Sequence, residues 1–173
     1  MVRPCRFFAL TGLLVQLVVA QFAAVLPVAA ALADAATESP APYARYESSS
    51  SFEDVMTGLK LAIEERGLYI NNVMAMDEML ERTGRDLGAE EVIFTRAEAV
   101  EFCSAVLSRR MTAEDPIRIV HCPFIIAVYT LPESPDTTFV AYRTVPASEV
   151  ADSAVMREVA AMLQDLAEAA ASW

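Results

Sequence analysis

Residues 115–131, Asp-Pro-Ile-Arg-Ile-Val-His-Cys-Pro-Phe-Ile-Ile-Ala-Val-Tyr-Thr-Leu, constrain the fold more than any other stretch. They read as one long strand after the Met111–Pro116 loop. Apolar residues occupy both parities: Ile117, Ile119 and Ile125 on one, Val120, Phe124, Ile126 and Val128 on the other. A strand of that kind needs cover on both faces. The stretch also holds the single histidine, His121, and one of the three cysteines, Cys122.

The remaining punctuation sets an order of elements. Tyr43–Glu47 is a strand candidate. Ser50-Ser51-Phe52-Glu53 offers a capping box, and Val55, Leu59, Ala62 and Ile63 follow at helical spacing until Gly67. Leu68–Met74 reads as a strand and Asp77–Leu87 as a helix closed by Gly84 or Gly88. Glu91–Thr95 reads as a strand and Ala97–Arg110 as a helix whose apolar stripe includes Cys103. After the central strand, a turn at Leu131–Asp136 returns the chain as Thr137–Val145. Ser148 then caps a last helix carrying Val155, Val159, Met162, Leu163 and Leu166. The order is β-α-β-α-β-α-β-β-α, an α+β domain with a mixed sheet covered by helices.

At the other end of the chain, Arg3 and Arg6 precede an apolar run from Phe7 to Leu26, and Ala31-Leu32-Ala33 follows. A positive start, an apolar core and an A-x-A triplet read as a secretory signal peptide cleaved after Ala33. The run approaches the roughly 20 residues of a membrane span, but Gln16, Gln21 and Pro27 interrupt it. The expected organisation is a signal peptide (1–33), a flexible leader (34–42), an α+β domain (43–146) and a C-terminal amphipathic helix (147–173). The expected address is the periplasm, with no membrane attachment after cleavage. Losing two arginines and no acids would take the net charge from −11 to −13. That surface argues against nucleic acid and anionic membranes, which need clustered Lys and Arg.

The segment from Ser51-Phe-Glu-Asp-Val to Gly67-Leu, a second α/β unit, and the late hairpin Ile117-Arg-Ile-Val…Val140-Ala-Tyr together resemble the DUF302 domain family. The resemblance covers roughly residues 43–146. It implies a small α+β domain that commonly dimerises, in a family without an established general activity. Other members often carry an Asn-Pro pair near the position of Glu91. Phe94-Thr-Arg-Ala stands there in this chain, and Phe102-Cys103 with His121-Cys122-Pro123 looks like a subgroup feature. No site residue is carried over from the family.

The residues themselves offer several chemistries. Cys103 and Cys122 form an even pair once Cys5 is removed, and in an exported protein such a pair reads as a disulfide. Two separate buried thiols are the alternative. A catalytic redox pair is a third reading, although a Cys-x-x-Cys at a helix start is missing. His121 and Cys122 are donors suited to copper or haem. Adjacent strand residues point to opposite faces, however, so they share a metal only if Pro123 breaks the pleat. Met74, Met76 and Met79 suit Cu(I) by chemistry and core packing by spacing.

No Gly-x-Ser-x-Gly elbow or phosphate loop is present. Paired acids such as Glu64-Glu65 and Glu90-Glu91 read as solvated faces. The expectation is a small exported binding or redox-associated accessory protein, more an accessory than an enzyme. A thiol–disulfide enzyme using Cys103 and Cys122, or a purely structural dimer, are the alternatives. A homodimer follows from the need to cover the second face of the central strand; the ligand is not readable.

Overall fold

The computed structural model describes residues 41–89 and 91–173. The expected signal peptide and nearly all of the expected leader lie outside the described residues. The last two leader positions are tied to the domain: the Thr144 amide donates to the Pro42 carbonyl (3.0 Å) and its hydroxyl to Ala41 (3.1 Å).

Among the described residues five strands and five α-helices follow the expected order, with the last expected helix divided in two. They are β1 (Tyr43–Ser48), α1 (Phe52–Glu65), β2 (Tyr69–Ala75), α2 (Met76–Leu87), β3 (Arg96–Cys103) and α3 (Ala105–Glu114). A 3-10 turn (Pro116–His121) then leads to β4 (Phe124–Leu131), β5 (Ser134–Arg143), α4 (Ala147–Asp152) and α5 (Ala154–Ala171). The sheet runs β1-β5-β4-β3-β2. Every neighbouring pair is antiparallel, so the sheet is not the mixed one expected. Helical connections do not require parallel strands: β2 and β3 lie side by side with α2 between them in sequence.

The first helix forms as its sequence dictates, with its cap one residue later than the expected box. The Ser51 hydroxyl accepts the Asp54 amide at 3.2 Å. Val55, Leu59, Ala62 and Ile63 are all buried, and Gly67 at φ +68° takes the left-handed conformation that ends the run. The last helix is divided. Pro146 precedes the short α4, and Ser153 rather than Ser148 caps the long α5 by accepting the Met156 amide at 3.2 Å. Val155, Val159, Met162, Leu163 and Leu166 line its buried side.

The third unit departs from its expected boundaries. Glu91–Thr95 is not a strand, and the strand occupies Arg96–Cys103, where a helix was expected. Ala and Glu are good helix formers, but Val100 and Phe102 sit at period two, fully buried against the helices. Tertiary burial overrides propensity, and the helix waits for Ser104, whose hydroxyl caps Leu107 at 3.3 Å. Cys103 therefore ends a strand instead of lying on a helix.

The central strand is also shorter than its apolar content implied. Pro116 opens the 3-10 turn, and the Asp115 carboxylate accepts the Ile117 amide at 3.1 Å. His121 and Cys122 thus precede β4. Ile117, Ile119 and Val120 are exposed in the turn, so three of the seven apolar residues of the supposed two-sided pattern never enter the sheet.

Helices α1 and α5 cover one face of the sheet. The core beneath them joins Leu59, Ile63, Leu163 and Leu166 to Phe102, Ile126, Val128 and Val140. The opposite face carries a cross-strand row of small residues, Ala99, Ala127 and Ala141, with Met74 and Arg45 at its ends. Towards the start of β3 this face is closed by Phe94 edge-on to Tyr129, by Tyr129 stacked on Phe139, and by Arg45 over Phe139. Towards the end of β3 it is open: Ile125 is 45% exposed and Tyr69 is 73% exposed. Cys103 pairs with Tyr69 at that open end.

Candidate functional site

Two separate pieces of the chain bring the thiols together. Cys103 is the last residue of β3, fixed by its pairing with Tyr69. Cys122 follows the 3-10 turn, its amide bonded to the Ile119 carbonyl at 3.0 Å, and its peptide to Pro123 is cis. The two Sγ atoms are 3.4 Å apart, both as thiols and both half-buried.

Each sulfur receives one polar neighbour. The Asn71 side-chain amide donates to Cys103 Sγ at 3.3 Å, and the Ser108 hydroxyl donates to Cys122 Sγ at 3.6 Å. Asn71 reaches the site because the β2 register shifts between Ile70 and Asn72, which leaves it outside the ladder. Ser108 stands on α3, one turn after Ser104. Burial away from water raises the Cys103 thiol above the ordinary cysteine value; the Asn71 amide opposes that, and the Cys122 thiol adds to it.

His121 belongs to a different cluster. Its Nε2 lies 3.2 Å from both carboxylate oxygens of Glu149 on α4. Arg118, from the same 3-10 turn, reaches Glu149 at 3.5 Å and Glu114 at 2.6 Å. The Ser153 hydroxyl donates to Glu114 at 2.6 Å. Those bonds, Ser153 first and Arg118 second, hold the Glu114 carboxyl below its ordinary range. The network fastens the turn to α4 and α5, and so positions Cys122 from behind.

The sequence-predicted residues thus separate into three places. Cys103 and Cys122 meet. His121 turns to Glu149. Met74 lies on β2, whereas Met76 and Met79 lie in the first turn of α2. Met74 pairs with Ala99, four residues back along β3 from Cys103, roughly 13 Å at strand rise. Among the described residues no group of three or more His, Cys, Asp or Glu side chains is arranged to hold a metal ion. Asn71, Ser108, Arg118 and Glu149 were not singled out from sequence. A bulge and a turn bring them in, and neither leaves a local signal.

A cavity of about 420 Å³ lies between α2 and residues 91–95, lined by Asp77, Leu80, Arg85, Ile93, Phe94 and Thr95. It sits by the beginning of β3, whereas the thiols are at its end.

The DUF302 family model, "Domain of unknown function DUF302", matches residues 44–172. The chain belongs to the DUF302 family. A solved structure agrees in fold: the uncharacterised conserved DUF302 protein from Bacillus stearothermophilus superposes with a TM-score of 0.57 at 16% identity. That match covers 76% of this chain and 97% of the other. No curated protein matches the sequence. In this DUF302 domain the matched segment includes β1 from its second residue and the whole of α5.

Proposed function

We propose that this DUF302 domain is an exported, periplasmic accessory protein whose working part is the Cys103–Cys122 dithiol, cycling between open thiols and a disulfide. The observation that carries the reading is the 3.4 Å approach of two sulfurs supplied by different elements. The N-terminal pattern of residues 1–33 supports export, and an oxidising compartment suits such a pair.

The cycle needs a disulfide as oxidant. A thiolate of the pair attacks the external disulfide, forms a mixed disulfide and releases one thiol; the second thiol then attacks the mixed disulfide and releases the other. The protein loses two electrons and two protons, and the external disulfide gains them. Burial raises the Cys103 thiol and so disfavours its thiolate at neutral pH; either sulfur can open the reaction, and its neighbour at 3.4 Å resolves the mixed disulfide. The intermediate is resolved in place because the second sulfur already stands beside the first. Incubation with oxidised glutathione, followed by peptide mapping without reductant, tests this. The expected product is the Cys103–Cys122 bridge, and stable glutathione adducts on both cysteines would contradict it.

A second reading concerns assembly, and the open end of the sheet favours it. Ile125 is exposed there beside Glu101, and on its other side Arg143 of β5 follows the Ile126–Tyr142 pair by one residue. Among the described residues neither Glu101 nor Arg143 has an ion-pair partner. A two-fold axis along β4 exchanges β3 and β5. It lays Glu101 of one copy against Arg143 of a second, and Ile125 against Ile125. The proposal is a homodimer through this face. In a C103S/C122S background, Ile125→Cys then gives a covalent dimer under mild oxidation; monomer at micromolar concentration would refute it.

A further inference from the structure

We infer that the reduced Cys103–Cys122 pair is a two-thiolate site for Cu(I). This rests on the dithiol reading above, and adds the class of ligand that the open form takes. The donor set selects the ion. Two thiol sulfurs stand together, and among the described residues no third His, Cys, Asp or Glu group completes a cluster around them. His121 is engaged by Glu149, and the three methionines belong to β2 and α2. Zinc in a structural site takes four ligands, and calcium or magnesium takes oxygen. Soft thiolates select Cu(I), which is satisfied by two of them.

The surroundings fit the charge of the product. Binding follows protein(SH)₂ + Cu⁺ → protein(S)₂Cu⁻ + 2H⁺, with copper remaining Cu(I) throughout. The product carries one negative charge on two sulfurs. Asn71 and Ser108 already aim one N–H and one O–H at those sulfurs, one donor each. Neutral donors of this kind stabilise ligating sulfur without competing for the metal. The sulfurs must part to admit the ion. Because two protons leave, binding tightens as pH rises. Closing the disulfide removes both ligands, so oxidation empties the site.

The test uses the reduced protein and Cu(I) held anaerobically by the chromophoric chelator bicinchoninate, with competition read from its absorbance. The expected result is one equivalent withdrawn by the reduced protein and none by the oxidised protein. Cys103→Ser and Cys122→Ser should each weaken binding at least 100-fold, with circular dichroism confirming that both remain folded. The triple change of Met74, Met76 and Met79 to Leu should leave it intact. One equivalent retained by the C103S/C122S double variant, or none taken by wild type with free thiols, overturns the inference. The two readings fail separately. A bridge that forms under glutathione without Cu(I) uptake sinks the copper site alone; Cu(I) uptake without any bridge sinks the redox cycle alone.

Discussion

On β4, Phe124, Ile126 and Val128 point towards α1 and α5 and are buried, while Ile125, one residue along, is 45% exposed. The same alternation runs across β3, where Val100 and Phe102 are fully buried and Cys103 stands at the open end. One face is filled by branched and aromatic side chains interlocked with two helices. The other has an alanine row, partial aromatic cover at one end, and the thiols at its other end. Stability therefore resides mostly on the helical face. The open face can change with little effect on the fold, which is where reactive and associating groups are tolerated.

The largest expected effect tests the covered face. Phe102→Ala removes a fully buried ring in contact range of Phe124 (centroids 5.8 Å apart) and should destabilise the domain by about 3–5 kcal/mol in denaturant unfolding. A loss below about 1 kcal/mol would mean that the two faces do not differ as described.

Next comes the thiol pair. Bridging residues 19 apart should stabilise the oxidised form over the reduced by about 3 kcal/mol through loop-closure entropy. Cys122→Ser should abolish that difference, and equal stability of oxidised and reduced wild type would argue against a bridge.

A smaller effect belongs to the open face. Glu101→Arg should change monomer stability by no more than about 0.5 kcal/mol, yet dissociate the proposed dimer. Adding Arg143→Glu should restore it by reversing both charges. Light scattering that shows the same mass in wild type and both variants would remove this face as the interface.

The smallest effect is a pH dependence at the turn behind Cys122. The folded Glu114 carboxyl is held below its ordinary range by the Ser153 hydroxyl and Arg118. Its contribution is thus present above the unfolded value and is lost as pH falls through the folded one. Glu114→Gln should lower stability at neutral pH and converge with the wild type at low pH, so that the acid limb of the stability–pH profile flattens; an unaltered acid limb would refute the assignment.

The sequence was most legible where period and cap agreed. Val55, Leu59 and Ile63 after Ser51 placed α1, and Val159, Leu163 and Leu166 placed α5, because amphipathic burial and local propensity point the same way. Arg96–Cys103 was misread because Ala and Glu favour a helix while the partners that make it a strand, β2 and β4, are distant in sequence. Residues 116–121 were misread because exposed Ile117, Ile119 and Val120 look like strand core to any hydropathy argument. Both errors moved the cysteines: Cys103 from helix to strand end, and Cys122 from within a strand to two residues before it. Their proximity survives because it depends on β3 lying beside β4. Asn71, Ser108 and Glu149 were invisible for the same reason, being brought in by a bulge and by the packing of a turn on α4.

The central claim is that Cys103 and Cys122 act as one redox unit. Equilibrating the protein across a series of reduced and oxidised glutathione ratios, then alkylating and weighing each state, tests it most directly. The account predicts a single two-electron transition between doubly alkylated protein and protein lighter by two hydrogens with neither thiol reactive. Two independent one-thiol transitions, each adding a glutathione, would contradict it.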